Sequence, residues 1–171
     1  MKVLHLDRQR HWSGQQSRTV ATALVTRKRG HDVLIVTSPG SSYLSRPELA
    51  AAGIPVHTLR LRGLRLYPAV VSLARLIRRE GVDVIDAHGA VDQQVALAAR
   101  TLAGRGAVVR TKHNHTLLRG ALSRWSYVRW TERIIAISGY VREKLLESRV
   151  PEGHVDLIPD AVDCERFSPR T

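Results

Sequence analysis

The feature that most constrains this 171-residue chain is a repeated switch of hydrophobic period. Short runs rich in Val, Ile and Leu alternate with longer stretches whose apolar residues recur three and four positions apart. The runs are KVLHL (2–6), DVLIVT (32–37), PVHTL (55–59), VDVIDA (82–87), AVVRTK (107–112), ERIIAI (132–137) and HVDLI (154–158). Apolar runs of this length, bounded by Gly, Pro and polar clusters, read as strands buried on both faces. Helical patterns separate them. Residues 15–29 end at Gly30, 43–52 end at Gly53, and a further helix opens at Pro68 and closes at Gly81. Val91, Val95, Ala98 and Leu102 mark one face of the next, a short helix is expected near 119–130, and Ser138 caps the last. This alternation predicts an α/β fold: a Rossmann-like, doubly wound, mostly parallel sheet of about seven strands with helices on both faces. The length suits one domain, expected over 1–158. The aperiodic stretch PDAVDCERFSPRT reads as a linker occupying 159–171.

Composition narrows the partners. A lone cysteine, Cys164, cannot form an internal disulfide, and no cysteine cluster points to zinc. That pattern fits a cytoplasmic setting. No apolar run approaches the roughly 20 residues that span a bilayer. The net charge of +12 is concentrated in the N-terminal half and favours anionic partners such as phosphates or acidic lipid. Two stretches suit an anionic membrane surface. One is 60–79, which carries Arg60, Arg62, Arg65, Arg75, Arg78 and Arg79 with no acid. The other is LLRGALSRWSYVRW (117–130), with Leu118, Leu122 and Trp125 among Arg119, Arg124 and Arg129. The competing reading of each stretch is an apolar face in the core and solvated arginines. Nucleic-acid binding is disfavoured, because basic and aromatic residues do not interleave into a stacking platform.

In a doubly wound sheet, ligands sit outside the carboxyl ends of the strands. That rule selects the loops after Leu6, Thr37, Ala87, Lys112 and Ile137. The first, DRQRHWSGQQ, ends in Ser13-Gly14-Gln15 at a helix start, where backbone N–H groups attract phosphate. Arg8, Arg10 and His11 add positive charge there. The loop is neither the three-glycine dinucleotide fingerprint nor a P-loop, which argues against a dehydrogenase. His88 follows the fourth run. Lys112, His113, Asn114 and His115 crowd the end of the fifth, where neutral imidazoles suit sugar hydroxyls and phosphate oxygens. His113 and His115 lack an evident third ligand, so no metal site is expected.

In order and spacing, KVLHL…WSGQQ, RGHDVLIVT, GIPVHTL, LIRREGVDVIDAHG, RTKHN, TERIIAIS and IPDAVDCERFSP resemble the N-terminal domain of glycosyltransferase family 4 over essentially the whole chain. The resemblance implies a GT-B enzyme built of two Rossmann-like halves. Such an enzyme moves a hexosyl group from a nucleotide-sugar donor with retention of configuration, needing neither metal nor cofactor. It implies that His113 is the catalytic group beside the reacting sugar and that Gly14 and Gln15 face the donor diphosphate. His88 and Ser138 would line the acceptor side of the cleft. Arg10, His11, Lys112 and Asn114 join them from their places at the strand ends. IPDAVDCERFSP resembles the segment that leads into the donor-binding C-terminal domain, which 1–171 would then lack, leaving the chain inactive alone. The basic-apolar stretches favour a lipid-linked or lipopolysaccharide-type acceptor and peripheral attachment to the inner face of the membrane. Two positions depart from the family: Ser13-Gly14 stands for two glycines, and Asp160-Ala161 stands for Asn-Gly. A stand-alone nucleotide- or phosphate-binding module on the same fold is the alternative.

Overall fold

A computed structural model describes residues 1–60, 66–116, 125 and 128–161. Seven strands form one all-parallel sheet: β1 (Lys2–Asp7), β2 (Asp32–Thr37), β3 (Val56–Thr58), β4 (Val84–Ala87), β5 (Ala107–Lys112), β6 (Arg133–Ala136) and β7 (Val155–Leu157). Their spatial order is β3-β2-β1-β4-β5-β6-β7. The chain winds outward from β1 through β2 to β3, then crosses back to lay β4 against the free side of β1. The direction of winding therefore reverses between β1 and β4, where a doubly wound sheet opens its ligand crevice.

The helices are α1 (Gly14–Lys28), α2 (Pro47–Ala51), α3 (Leu66–Glu80), α4 (Ala90–Ala103) and α5 (Gly139–Glu147). Side chains alternate across the strands and sort the core into layers. Leu4, Leu6, Leu34 and Val36 face α3 and α4, packing on Leu73, Ile77, Val95 and Ala99. Val33 and Ile35 face the opposite way, against Val20 and Ala23 of α1 and Leu49 of α2. Ile134, Ala136, Val141 and Leu145 form a third cluster at the β6–β7 end. His5 and Asp7 alternate with Leu4 and Leu6 and so turn toward the α1 side.

Most elements fall within a residue or two of their sequence patterns. The helix expected over 43–52 is split into a 3₁₀ turn at Ser42–Ser45 and α2 from Pro47. Pro47 is the cause, since the residue before a proline is driven out of helical space and Arg46 is extended (φ −97°, ψ 100°). Helix α3 begins at Leu66, two residues before Pro68, which the first turn accommodates because its N–H needs no helical partner there. The short helix expected near 119–130 lies mostly outside the described residues, as does the end of the expected linker. Ala69, Leu73, Ala74, Leu76 and Ile77 of α3 are core, while Arg75, Arg78 and Arg79 are exposed. In the described part of 60–79 the apolar face is therefore spent on the sheet. No described helix is long and apolar enough to cross a membrane.

Because Leu73 is fully buried between α3 and the sheet, Leu73→Ala should lower the unfolding free energy by about 2–5 kcal/mol. Arg75→Ala, one turn edge away on the exposed face, should change it by less than about 0.5 kcal/mol. Urea titrations of both variants measure the contrast, and equal losses would mean that α3 does not dock by this face.

Candidate functional site

The register of β1 on β4 places His5 opposite Asp86. Both side chains are buried, and they meet His88 just past the end of β4. His5 Nδ1 lies 3.2 Å from His88 Nε2 and 3.3 Å from Asp86 Oδ2, and His88 Nε2 lies 3.4 Å from the same oxygen. Thr111 of β5 donates its hydroxyl to Asp86 Oδ1 at 2.7 Å. On its other edge, His88 Nδ1 is 2.9 Å from His113 Nε2 and 3.5 Å from Thr19 Oγ1 of α1. The rings of His5, His88 and His113 lie in succession, with centroids 5.4 and 5.1 Å apart. The result is a polar chain running from beneath the sheet end to its surface. Only His113, at the outer end, is partly exposed.

Burial dominates its electrostatics. It lowers His88 to about 4, reinforced by His5 and Arg110 and opposed by Asp86. It lowers His113 to about 3, with His88 adding to the effect. Burial alone would raise the Asp86 carboxyl. His88, His5 and the Thr111 hydroxyl outweigh it and hold the acid below its ordinary range. Near neutral pH the chain is thus a carboxylate backing two neutral imidazoles. With Nε2 engaged by His88, His113 has Nδ1 left for a ligand; no described residue bonds to it. His5, Asp86 and His88 also offer ligand atoms within 4.8 Å of one another, so these three are where a metal ion would be held. In this structure their hydrogen bonds to one another and to Thr111 engage all three side chains, while His5 Nε2 is buried without a partner among the described residues.

A second group organises the loop after β1. Asp7 is fully buried. Its Oδ1 accepts from the Gln9 amide at 3.0 Å and from Gln15 Nε2 at 2.9 Å, and its Oδ2 accepts from the Tyr43 hydroxyl at 2.7 Å. Burial and the Asp7 charge push the Tyr43 phenol far up, so it stays a donor. Gln16, also buried, donates to the Gln9 carbonyl at 2.8 Å and accepts from Ser42 Oγ at 2.6 Å. Ser13 caps α1 by accepting from the Gln16 amide. This brace fixes the loop over a cavity of about 840 Å³ lined by Asp7, Arg8, Arg10, Gln15, Arg60 and Asp92, with Ser38 and Gly89 also on its wall. The cavity opens at the carboxyl ends of β1, β2, β3 and β4.

The residues singled out from sequence fall into three sets. Gln15 and Arg10 line this cavity, with Gly14 opening α1 beside it. His88 and His113 share the histidine chain, His88 buried and His113 partly exposed. The remainder surround these groups without lining the cavity. His11 is exposed and not among its lining residues. Lys112 is buried and donates to the exposed Asn114 at 2.5 Å, and burial followed by Arg110 lowers its ammonium to about 8. Ser138 caps α5, accepting from the Val141 amide at 3.2 Å. His115 packs against Tyr140. Asp160, one of the departures from the family pattern, pairs with Arg18 of α1, which also donates to the Ile158 carbonyl at 2.9 Å. Sequence reasoning missed His5, Asp7, Tyr43, Asp86 and Asp92. The one signal available was polar residues inside strand runs, at His5 and Asp86.

The chain is thus a doubly wound sheet of the Rossmann type with a polar crevice at its strand ends. The Glycosyltransferase Family 4 pattern matches residues 12–166, and the chain belongs to that family. No curated protein matches it. Among solved structures, HepE of Anabaena in complex with UDP-glucose is similar over 98% of this chain and 46% of its own, at 18% identity and a TM-score of 0.77. A glycosyltransferase from Rickettsia africae is similar over 98% and 45%, at 17% and 0.75. The lipopolysaccharide outer core galactosyltransferase WaaB is similar over 95% and 46%, at 12% and 0.73. The chain thus spans just under half the length of these structures, which share its fold.

The ionisation pattern carries a stability signature. His88 and His113 bind protons more weakly when folded, so the unfolded chain takes up more protons below pH 6.5 and stability falls as pH drops toward 4. Asp92 has the opposite sign. Burial first, and then Asp7, raises its carboxyl to about 7, so the folded chain holds a proton between pH 7 and 4 that the unfolded chain has released. Asp92→Asn removes that opposing contribution. Its urea midpoint should fall more steeply between pH 6.5 and 4 than that of the parent, and parallel curves would contradict these assignments.

Proposed function

We propose that this chain is the acceptor-side half of a retaining, metal-independent glycosyltransferase. The donor is a nucleotide-sugar bound mainly by a C-terminal half into which the linker beginning at residue 159 leads. The acceptor is a cell-envelope glycan or lipid-linked glycan, met at the cytoplasmic face of the membrane. The observation that carries this reading is the position of His113. It stands at the outer end of a buried, carboxylate-backed histidine chain at the sheet's reversal point, in a chain belonging to glycosyltransferase family 4. HepE holds UDP-glucose and WaaB is a lipopolysaccharide galactosyltransferase, which supports a nucleotide-sugar donor and an envelope acceptor.

In this reading the bond from the sugar's anomeric carbon to the diphosphate breaks with its electron pair passing to the phosphate oxygen. The acceptor oxygen bonds to the same face of that carbon, and its proton passes to the departing diphosphate. Charge builds on that leaving group, so preorganised donors aimed at it accelerate the step most. The start of α1 at Gly14 and Gln15 supplies backbone N–H groups there. His113, kept neutral by burial and oriented by His88, hydrogen-bonds the reacting sugar through Nδ1 and fixes its position.

The longer protein, carrying both halves, should release UDP from a UDP-hexose only with acceptor present and should give a product of unchanged anomeric configuration by NMR. EDTA should leave the rate unaltered. His113→Ala should lower kcat by about 10²-fold or more, and residues 1–171 alone should show no turnover. An inverted product, a rate abolished by EDTA, or robust turnover by 1–171 would overturn the reading.

A further inference from the structure

Asp92 is the anomaly of the crevice. It sits in the first turn of α4 with 1% of its surface exposed; among the described residues neither carboxylate oxygen has a hydrogen bond of normal geometry, and the backbone amide and guanidinium of Arg8 stand nearest to its charge. Asp7 alongside it has three. A buried carboxylate without partners is costly, of order several kcal/mol when charged, and the helix offers an obvious remedy that is not taken: an acid in this position ordinarily reaches back to the capping amide. Instead the carboxylate faces the 840 Å³ cavity, packed so tightly over Gly89 that a Cβ there would collide with it. Arg8 Nε stands over Oδ1 at 3.8 Å, too far for a hydrogen bond. Arg8, Arg10 and Arg60 line the same cavity and are all exposed.

We propose that this cavity is the acceptor pocket, and that it selects a hydroxylated acceptor bearing an anionic group, with Asp92 accepting a hydrogen bond from an acceptor hydroxyl and Arg8, Arg10 and Arg60 holding the anion. The inference rests on the transferase reading and names its acceptor class. Each polar group in the pocket then has a use. A sugar hydroxyl satisfies the stranded carboxylate, which in its ionised form an anion could not. The arginines meet a phosphate or carboxylate, which a neutral sugar would leave unpaired. Arg8 makes only a long ion pair with Asp92, at 3.8 Å, so its exposed, flexible side chain swings off the carboxylate as the hydroxyl enters and carries its charge to the anion. Asp92 is the group that makes the pocket a sugar site rather than a bare phosphate site.

Binding to the chain by isothermal titration tests this directly, with glucose 6-phosphate, glucuronate, glucose and inorganic phosphate as probes. The two anionic sugars should bind at least tenfold tighter than glucose, and which of them is tighter distinguishes a phosphate from a carboxylate acceptor. Asp92→Asn should weaken the preferred anionic sugar about tenfold while leaving inorganic phosphate unchanged. Arg60→Ala should weaken both. Gly89→Ala, which displaces the carboxylate without removing it, should reproduce the Asp92→Asn pattern, and circular dichroism checks that both variants fold. Equal binding of glucose and the anionic sugars, or an Asp92→Asn loss shared by inorganic phosphate, overturns the proposal. In the longer protein, sugar transfer with an unchanged KM for acceptor in Asp92→Asn would sink the pocket assignment alone. No transfer, with the binding pattern intact, would sink the transferase reading instead.

Discussion

The site depends on one registration: β4 pairs with β1, rather than with β3, and sets Asp86 opposite His5. Two strands distant in sequence thereby bring a carboxylate and an imidazole together inside a sheet where neither would survive unpartnered. Buried polar groups must find partners in the fold. Here they find them across β1, β4 and β5, through Thr111 and His88, and the chain of contacts ends at the partly exposed His113 past the end of β5. The same pairing that reverses the winding of the sheet therefore also delivers an oriented, neutral imidazole to the opening it creates. A one-residue slip between β1 and β4 would send His5 and Asp86 to opposite faces and leave both stranded.

The crevice contains two buried carboxylates under different regimes. Asp7 is saturated by the Gln9 amide, Gln15 and Tyr43, and its work is structural: it holds the loop that carries Arg8 and Arg10. Asp92 is unsatisfied and responsive, with a carboxyl raised to about 7 by burial and by Asp7's charge. Satisfied polar networks rigidify, while an unsatisfied buried group calls for an explanation, which the proposed acceptor hydroxyl supplies for Asp92. The contrast explains how one crevice floor is at once firm and receptive.

The fold was legible because its signal is periodic and repeated. Seven apolar runs, separated by helical patterns that glycine or proline punctuates, admit little besides a wound parallel sheet. Position at the strand ends also led to Gln15, Arg10, His88 and His113. Other features escaped. Pro47 broke a helix that apolar spacing alone made continuous. His5 and Asp86 sit inside strand runs and read as interruptions, because their meaning lies in a cross-strand register that sequence order does not contain. Asp92 carries no signal in the sequence, since its surroundings are a property of the three-dimensional fold. Ser138 was marked both as a helix cap and as a cleft residue; the geometry displays the cap. The basic stretch 60–79 looked amphipathic in either of two ways, and only packing against Leu4 and Val36 shows where its apolar face is spent.

The most direct test of the central claim is the protonation of the histidine chain itself, followed by long-range ¹H–¹⁵N spectra of the imidazole nitrogens as pH is lowered from 8 to 5. His88 and His113 should remain neutral, each locked in one tautomer, across that whole range. Titration of His88 or His113 with a midpoint near 6.5, or averaging between tautomers, would show that Asp86 and the sheet do not hold these rings and that the site is not built as described.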